Sequence, residues 1–244
     1  MKTSRGTSSD HDAHRRDKSD NGDERGFAAE ADNANPNQVF AQKTWLRSTP
    51  IAGTPAERYL RSRGLDPDIC GLNLRFARLK AEGAFHPCMV ARVQGADGSL
   101  QAVMRTFLAP TGNTKAEIAH PRMALGRLAG GAVRLREAQD QLILCEGIED
   151  GLALTMALGE PVWAVLGAAN FRHVVLPDFV RHIIIAKDND AVGERAAQAA
   201  ATTFAYQGFD VSFIAPPAPC KDFNEALQSP GSPVHEDRSQ GELA

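Results

Sequence analysis

Apolar positions in the second half of the chain form short continuous runs, such as LILC before Glu146 and HIIIA before Lys187. Runs of this kind are typical of strands that are buried on both faces of a parallel sheet. The predicted strands cover residues 141–145, 162–166, 182–186 and 211–214. Helical patterns separate them at residues 148–158, after Asn170, at 191–207 and at 222–227. This alternation predicts an α/β fold in which a mainly parallel, four-stranded sheet carries helices on both faces.

The first half of the chain predicts a smaller α+β region. Residues 87–93 and 100–108 have the composition of strands and flank Ala96-Asp97-Gly98, which indicates a hairpin. Residues 132–136 alternate apolar and basic positions, as a half-exposed strand does. Thr111-Gly112-Asn113 indicates a further turn.

One helix of this region has clear boundaries in the sequence. Thr54 can cap it, Pro55 suits its first position, and Glu57 completes a capping box. Gly64 stands where a glycine commonly ends a helix. The sequence therefore predicts a helix that begins at Pro55 and runs through Leu60.

Composition predicts where the folded part of the chain begins and ends. Residues 1–38 are rich in Asp, Asn, Ser, Arg and Gly, and they hold too few apolar residues to offset the entropy cost of ordering. Residues 229–244 have a similar composition. We therefore predict two disordered tails that flank a module at 39–138 and a second domain at 139–228.

Membrane and secretion signals are not evident in the sequence. No apolar run reaches the length of a membrane span, and the N-terminal twenty residues lack the apolar part of a secretory signal. The four cysteines form no C-x-x-C pair, so we expect no disulfide framework and a buried Cys145. We expect a cytoplasmic protein without a membrane partner.

Charge is divided unevenly along the chain, although the net charge is only −3. Residues 43–138 contain 15 basic and 7 acidic residues, whereas residues 139–228 contain 5 basic and 12 acidic residues. A site that binds both a divalent cation and a polyanion needs carboxylates for the metal and basic side chains for the phosphates. The distribution fits such a site, but it fits scattered surface charge equally well.

Acidic residues follow two of the predicted strands at their carboxyl ends, where sites form in open α/β sheets. Glu146 follows the strand at 141–145, and Asp150 lies about one helical turn further on. Asp188 and Asp190 follow the strand at 182–186, and residues i and i+2 of an extended segment point to the same side. If these two strands are neighbours, all four acids share one pocket.

Four close carboxylates repel one another and raise one another's pKa values, and a bound cation removes that cost. Mg²⁺, a hard ion that prefers oxygen ligands and bridges to phosphate oxygens, suits this set. Gly147 and Gly193 lie beside the acids and would let a bulky substrate approach the backbone. The sequence therefore predicts a divalent-metal site at this edge of the sheet.

The acids lie in four stretches that resemble the Toprim domain of bacterial primases, topoisomerases and related nucleases: CEGIEDGLAL (145–154), LGAAN (166–170), IIIAKDNDAVGERAA (183–197) and KDFNEAL (221–227). The segments TPAERYLRSRGL (54–65), HPCMVARV (86–93), RTFLAP (105–110) and GGAVRL (130–135) resemble the module that usually precedes this domain in primase-helicase proteins of phages, plasmids and mobile elements. The resemblance implies a Rossmann-like Toprim fold after the α+β module.

The resemblance also implies roles for individual residues. Glu146 would be the general acid or base, or a metal ligand, and Asp188 and Asp190 would hold Mg²⁺ or Mn²⁺. Asp150 and Asp222 would complete the metal site. Asn170, with Gly147, Lys187 and Gly193, would shape or support the pocket.

The implied chemistry is phosphoryl transfer assisted by two metal ions. Its partners would be single-stranded DNA and nucleoside triphosphates, with room for a replicative helicase supplied by another chain. Basic side chains of the module would bind nucleic-acid or nucleotide phosphates: Arg105, Lys115, Arg122, Arg127, Arg134 and Arg136.

Three functions share these features. The first is a DNA primase-type nucleotidyltransferase, the second is a Toprim nuclease, and the third is a non-catalytic nucleic-acid-binding accessory subunit. The sequence contains no zinc ribbon, P-loop or helicase domain. The intact set of acids favours a catalytic protein over an accessory subunit.

Overall fold

The computed structural model describes residues 35–229. Most of the two predicted disordered tails, residues 1–34 and 230–244, therefore lies outside the described residues. The first helix nevertheless begins at Pro36, and the side chain of Asn35 caps it by accepting a hydrogen bond from the backbone N–H of Asn37 at 3.0 Å. The prediction of disorder is thus wrong for residues 36–38.

The described part of the chain contains five α-helices and nine strands. The helices are α1 (Pro36–Arg47), α2 (Pro55–Ser62), α3 (Ile148–Leu158), α4 (Ala191–Tyr206) and α5 (Phe223–Gln228). The strands are β1 (Leu74–Ala81), β2 (Ala84–Gln94), β3 (Leu100–Phe107), β4 (Arg122–Gly126), β5 (Val133–Arg134), β6 (Gln141–Cys145), β7 (Val162–Ala164), β8 (His182–Ala186) and β9 (Asp210–Ile214). Two 3₁₀ segments lie at Pro67–Asn73 and Ala168–His173.

The N-terminal region forms an antiparallel sheet of four strands in the order β1-β2-β3-β4. The predicted hairpin is confirmed, because β2 pairs with β3 around Gly98, whose φ of 76° is accessible to glycine at little cost. Strands β1 and β4 were not predicted. In β1, LRFARLKA, the apolar and polar positions do not alternate strictly, so its pattern is not specific to a strand.

Helix α2 begins as its sequence predicts. The Thr54 side chain accepts a hydrogen bond from the backbone N–H of Ala56 at 3.2 Å. Glu57 makes the reciprocal contact of the capping box with the residue before the cap rather than with Thr54 itself. Its carboxylate accepts a hydrogen bond from the backbone N–H of Gly53 at 2.6 Å. Gly64 follows the helix with a left-handed φ of 71°.

The second sheet has the order β5-β7-β6-β8-β9. Its strands β7, β6, β8 and β9 are parallel, and β5 is antiparallel to β7. Leu152 of α3 belongs to the core on one face of this sheet, whereas Ala200 of α4 belongs to the core on the other face. The predicted α/β fold, with four parallel strands and helices on both faces, is confirmed.

Strand β5 connects the two regions. Within the predicted strand 132–136, only Val133 and Arg134 are in strand conformation, and they pair with β7 rather than with the first sheet. The preceding residue, Ala132, exchanges two backbone hydrogen bonds with Gln94 of β2, at 2.9 and 3.1 Å. The second sheet therefore takes its edge strand from the segment that the sequence assigns to the module.

One hydrophobic core extends across this connection. Leu60 of α2 and Met89 of β2 belong to the same buried cluster as Ile148 and Leu152 of α3. All four side chains are at most 2% exposed. Burial of this apolar surface stabilises the two regions as a unit.

The longest helix among residues 35–229 has 16 residues, and none of the described helices is long and apolar enough to cross a membrane.

Candidate functional site

The acidic residues lie at the carboxyl edge of the parallel sheet. Strands β6 and β8 are parallel neighbours, with Leu142 opposite Ile183, so the condition on which the predicted site depends is met. Glu146 directly follows β6, and Asp188 lies two residues after the end of β8. Parallel neighbours that end together deliver these side chains to the same edge.

Asp188 is the carboxylate most affected by its neighbours. Burial is the largest cause that raises its pKa, and the charges of four other acids raise it further, to about 7. Those acids, in order of effect, are Asp150, Glu146, Asp222 and Asp190. The fold therefore concentrates negative charge from three separate segments of the chain around Asp188, which is costly unless a cation compensates it.

Asp150 lies in the first turn of α3 and is largely buried. Burial raises its pKa to about 6, although the backbone N–H of Asn224 donates a hydrogen bond to its Oδ1 at 3.1 Å and opposes that rise. Gly147 allows this arrangement, since a Cβ at that position would lie 2.6 Å from the Oδ2 of Asp150. Gly147 thus makes space for the Asp150 carboxylate.

Asp190 serves as the N-cap of α4. Its Oδ1 accepts hydrogen bonds from the backbone N–H groups of Val192 at 2.9 Å and Gly193 at 2.7 Å, which lower its pKa. A Cβ at Gly193 would lie 2.9 Å from the carbonyl oxygen of Asp188, so this glycine lets α4 begin close to the acids. One oxygen of Asp190 is therefore occupied by the helix, and its Oδ2 faces Lys221 at 4.0 Å.

Asp222 caps the final helix in the same way. Its Oδ1 accepts a hydrogen bond from the backbone N–H of Glu225 at 2.7 Å. The loop before it is held by Asn189, whose side-chain amide donates to the carbonyl oxygens of Pro216 at 2.9 Å and Cys220 at 2.8 Å. Asn189, between Asp188 and Asp190, thus fixes the position of Asp222 relative to the other acids.

The acids do not form a closed ligand cage. Among residues 35–229, no group of three or more His, Cys, Asp or Glu side chains lies close enough together to hold a metal ion. Asp188 and Asp190 instead line an open pocket of about 320 Å³, together with Glu194. The donors are all oxygens, and the charges nearest to Asp188 are all negative, so the residues fit a hard divalent cation such as Mg²⁺ that keeps several of its waters.

Family models match two adjacent segments of the chain. Residues 36–135 match a domain of unknown function (DUF7146), and residues 141–233 match the Toprim domain. Residues 141–233 of this chain are therefore a Toprim domain. The Toprim match contains Asp188 and the four acids around it.

Solved primase structures share the fold of this chain. The Aquifex aeolicus primase (zinc-binding and RNA polymerase domains) aligns with a TM-score of 0.61 and 17% identity over 83% of this chain and 59% of that chain. The primase fragment of the bacteriophage T7 primase-helicase protein aligns with a TM-score of 0.52 and 18% identity over 76% and 72% of the two chains. The RNA polymerase domain of Mycobacterium tuberculosis primase DnaG, solved in complex with double-stranded DNA, aligns with a TM-score of 0.52 and 18% identity over 88% and 80%. No curated protein matches the sequence.

Two residues predicted to support the Toprim pocket make internal contacts. The Lys187 side chain forms an ion pair with Glu194 and lies 6.0 Å from the centre of the Phe213 ring. Asn170, beyond the end of β7, donates hydrogen bonds from its amide nitrogen to the carbonyl oxygens of Val165 at 2.6 Å and Gly131 at 3.0 Å. Asn170 therefore fastens the loop before β5 to the same sheet edge as the acids.

Four of the six predicted phosphate-binding residues are engaged within the protein. Arg105 donates to the carbonyl oxygens of Met123 and Ala124, and burial lowers its pKa. Arg134 stacks 4.3 Å from the centre of the Trp163 ring and donates to the carbonyl oxygen of Gly95 at 2.5 Å. The remaining two engaged side chains are Arg136, bonded to the carbonyl oxygen of Gly159, and Lys115.

Arg122 and Arg127 differ from these four. Both are exposed, and neither guanidinium group has a hydrogen bond or ion pair among the described residues, although the backbone oxygen of Arg127 accepts from Gln101. Arg122 lies at the start of β4 and Arg127 directly follows its end. These two guanidinium groups are the members of the predicted set that remain accessible to a phosphate.

Glu149 is a Toprim residue that sequence reasoning missed. Its carboxylate is buried, lies 3.0 Å from the Nζ of Lys115 and accepts a hydrogen bond from the Tyr59 hydroxyl at 2.7 Å. Burial alone would raise its pKa, but Lys115 and the Tyr59 hydrogen bond outweigh burial and lower the pKa to about 2. The signal was its place between Ile148 and Leu152 on the apolar side of α3, where an acid needs a partner.

Proposed function

We propose that this protein is a primase-type nucleotidyltransferase that joins nucleotides on single-stranded DNA with Mg²⁺ or Mn²⁺. The observation that carries the proposal is the environment of Asp188 at the carboxyl edge of the Toprim sheet. The charges of acids that follow β6, β8 and β9 all raise the pKa of this one carboxylate. The shared fold with primases supports this function over that of an unrelated metal enzyme.

The residues divide the chemistry between them. Glu146, Asp150, Asp188, Asp190 and Asp222 would hold the cation. The bound ion would neutralise charge on the triphosphate and on the leaving group. Its charge would also keep Asp188 and Asp150 ionised at neutral pH.

The proposed reaction forms one bond and breaks one. The 3′ oxygen of one nucleotide attacks the α-phosphorus of the next, the bond from that phosphorus to the β-phosphate oxygen breaks, and pyrophosphate leaves. Glu146 would accept the proton of the attacking hydroxyl, the role that the resemblance to the Toprim domain implies for it. Arg122 and Arg127, exposed on the N-terminal region, would bind backbone phosphates of the template.

The proposal also covers the wider setting of the protein. We propose that residues 39–138, together with the start of the helix at Pro36, serve as the nucleic-acid module and residues 139–228 as the catalytic domain, whose sheet is completed by β5 from the module. We propose that the chain acts in the cytoplasm in the replication of a phage, plasmid or other mobile element, where another chain would supply a helicase.

Labelled nucleoside triphosphates test the proposal directly. The purified protein is incubated with single-stranded DNA and Mg²⁺ or Mn²⁺, beside Asp188→Asn and Asp210→Asn variants. Asp210 is a matched control, because it is an exposed acid that begins β9 at the opposite edge of the same sheet. We expect metal-dependent product growth that Asp188→Asn loses and Asp210→Asn keeps.

Other outcomes of this experiment identify the competing functions. Metal-dependent shortening of end-labelled DNA, lost in Asp188→Asn, would show a Toprim nuclease. DNA binding without synthesis or cleavage would show a non-catalytic accessory subunit. Either result overturns the primase proposal.

A further inference from the structure

Asn224 lies at the junction between the acidic site and the N-terminal region. It is the second residue of α5 and is 1% exposed. A buried amide side chain requires hydrogen-bond partners for its polar atoms, because an unpaired polar atom in the interior is costly. The partners of Asn224 come from two distant segments of the chain.

The backbone and the side chain of Asn224 form hydrogen bonds with different regions of the chain. Its backbone N–H donates to the Oδ1 of Asp150 at 3.1 Å. Its side-chain Nδ2 donates to the carbonyl oxygen of Arg63, at the end of α2, at 2.9 Å. One residue thus joins an acid of the candidate metal site to a helix of the N-terminal region.

Gln228 holds the Asn224 amide in this orientation. The Nε2 of Gln228 donates to the backbone oxygen of Asn224 at 3.0 Å and to its side-chain Oδ1 at 3.1 Å. With Oδ1 accepting from Gln228, Nδ2 must face Arg63. The orientation of the amide is therefore fixed by its partners on both sides.

A second set of contacts ties the same turn of α3 to the N-terminal region. Glu149, adjacent to Asp150, is bonded to Tyr59 of α2 and to Lys115. Helix α2 thus contacts the first turn of α3 directly through Tyr59, and indirectly through Arg63 and Asn224. This turn carries Asp150.

We propose that Asn224 is a positioning residue, through which the end of α2 fixes Asp150 and thereby sets the affinity of the acidic site for a divalent cation. The inference rests on the proposed function in one respect, that Asp150 belongs to a metal site. It adds that the N-terminal region supports the metal site, whether or not that region also binds the template.

Mn²⁺ binding by the full-length protein, measured by calorimetry without nucleotide or DNA, tests this inference. We expect Asn224→Ala to weaken Mn²⁺ binding by about tenfold, as loss of a residue that orients a metal ligand commonly does. Asn73→Ala is the matched control. The Asn73 amide also donates to a backbone carbonyl between distant segments, that of Arg134 at 2.6 Å, but no hydrogen bond among the described residues joins Asn73 to Asp150.

The control separates positioning from general loosening. If Asn73→Ala keeps the Mn²⁺ affinity of the unaltered protein while its melting temperature falls as much as that of Asn224→Ala, the effect is specific to Asp150. Equal losses of affinity in both variants, or unchanged affinity in Asn224→Ala, would overturn the inference. Gln228→Ala, a change at an exposed residue, replaces Asn224→Ala if that variant does not fold, and a smaller loss of affinity is expected.

The proposed function and this inference fail in different ways. Normal Mn²⁺ binding with the expected loss in Asn224→Ala, but without nucleotide incorporation, would overturn the primase proposal and leave the inference standing. Incorporation and Mn²⁺ binding that are both unchanged in Asn224→Ala would overturn the inference alone. An unaltered protein that binds no Mn²⁺ would overturn both.

Discussion

The Nζ of Lys115 lies 3.0 Å from the Oε1 of Glu149, and this pair joins the N-terminal region to the helix that carries Asp150. The sequence suggested Lys115 as a phosphate ligand. In the structure its charge instead compensates a buried carboxylate, which would be costly to leave alone. The pair is therefore a feature of stability on which the geometry of the site depends.

Removal of Lys115 tests this role. We expect Lys115→Met to lower the free energy of unfolding by about 2 kcal/mol, less than for a fully buried pair because Lys115 is partly exposed. Denaturant titration measures the change, and Lys80→Met, at an exposed lysine of β1, serves as control. The double variant Lys115→Met/Glu149→Gln should recover part of the loss, and no recovery would contradict the role of the pair.

The lowered pKa of Glu149 predicts a pH dependence of stability. Its folded-state pKa of about 2 lies below its ordinary value of 4.5, so the ionised group stabilises the fold above pH 4.5 and that stability is lost as the pH falls towards 2. The full contribution is about 3 kcal/mol. The difference in unfolding free energy between the unaltered protein and Glu149→Gln should shrink as the pH falls from 6 to 3; a constant difference would disagree with this.

The raised pKa of Asp188 predicts that stability changes with pH in the opposite direction. Its folded-state pKa of about 7 exceeds its ordinary value of 3.8, so in the absence of metal the fold loses stability as the pH rises from about 4 to 7. We expect Asp188→Asn to stabilise the metal-free protein at pH 8 by about 1 kcal/mol, a value discounted because the group is half exposed. Thermal melting with and without Mg²⁺ measures both effects, and the variant should lose most of the stabilisation that Mg²⁺ gives.

Asp190 combines two roles that substitutions can separate. Asp190→Ala removes the cap of α4 and should cost about 1 kcal/mol of stability. Asp190→Asn keeps an oxygen that accepts from Val192 and Gly193 but removes the charge, so it should retain stability while it weakens Mn²⁺ binding. If Asp190→Asn bound Mn²⁺ as tightly as the unaltered protein, the carboxylate would have only the capping role.

Substitution of Arg122 should change how strongly DNA binding depends on salt concentration. If it contacts one phosphate of single-stranded DNA, Arg122→Gln should lower the slope of log affinity against log salt concentration by about 0.7. Fluorescence anisotropy at several salt concentrations measures the slope. Arg172→Gln, at an exposed arginine beyond β7, is the control, and equal slopes for all three proteins would argue against a phosphate contact.

The parts of the fold that the sequence predicted share a local physical cause. The apolar runs of β6 and β8 need cover on both faces, and acids that follow such strands reach the same sheet edge. Helix α1 was missed because its sequence, PNQVFAQKTWLR, buries only Ala41 completely and has no regular apolar stripe. Local pattern therefore predicted the central sheet well and this peripheral helix poorly.

The sequence pattern around a charged residue did not predict which partner its side chain has in the structure. Arg134 is engaged because Gly95, 39 residues away, presents a carbonyl oxygen to it, and Glu149 is paired because Tyr59, 90 residues away, packs against α3. In both cases the partner is too distant in the sequence to be recognised from the residues that flank the charged side chain. Which basic side chains remain free for a phosphate thus follows only from the tertiary fold.

The short strand β5 has a practical consequence for anyone who isolates the catalytic half of the molecule. A fragment cut at residue 139 would lose Val133 and Arg134, and β7 would then present unpaired backbone groups at an open edge. It would also uncover Trp163, whose ring lies under Arg134 and whose indole N–H donates to the carbonyl oxygen of Arg136 at 3.0 Å. Such a fragment should self-associate, whereas one that begins before Ala132 keeps its sheet edge covered.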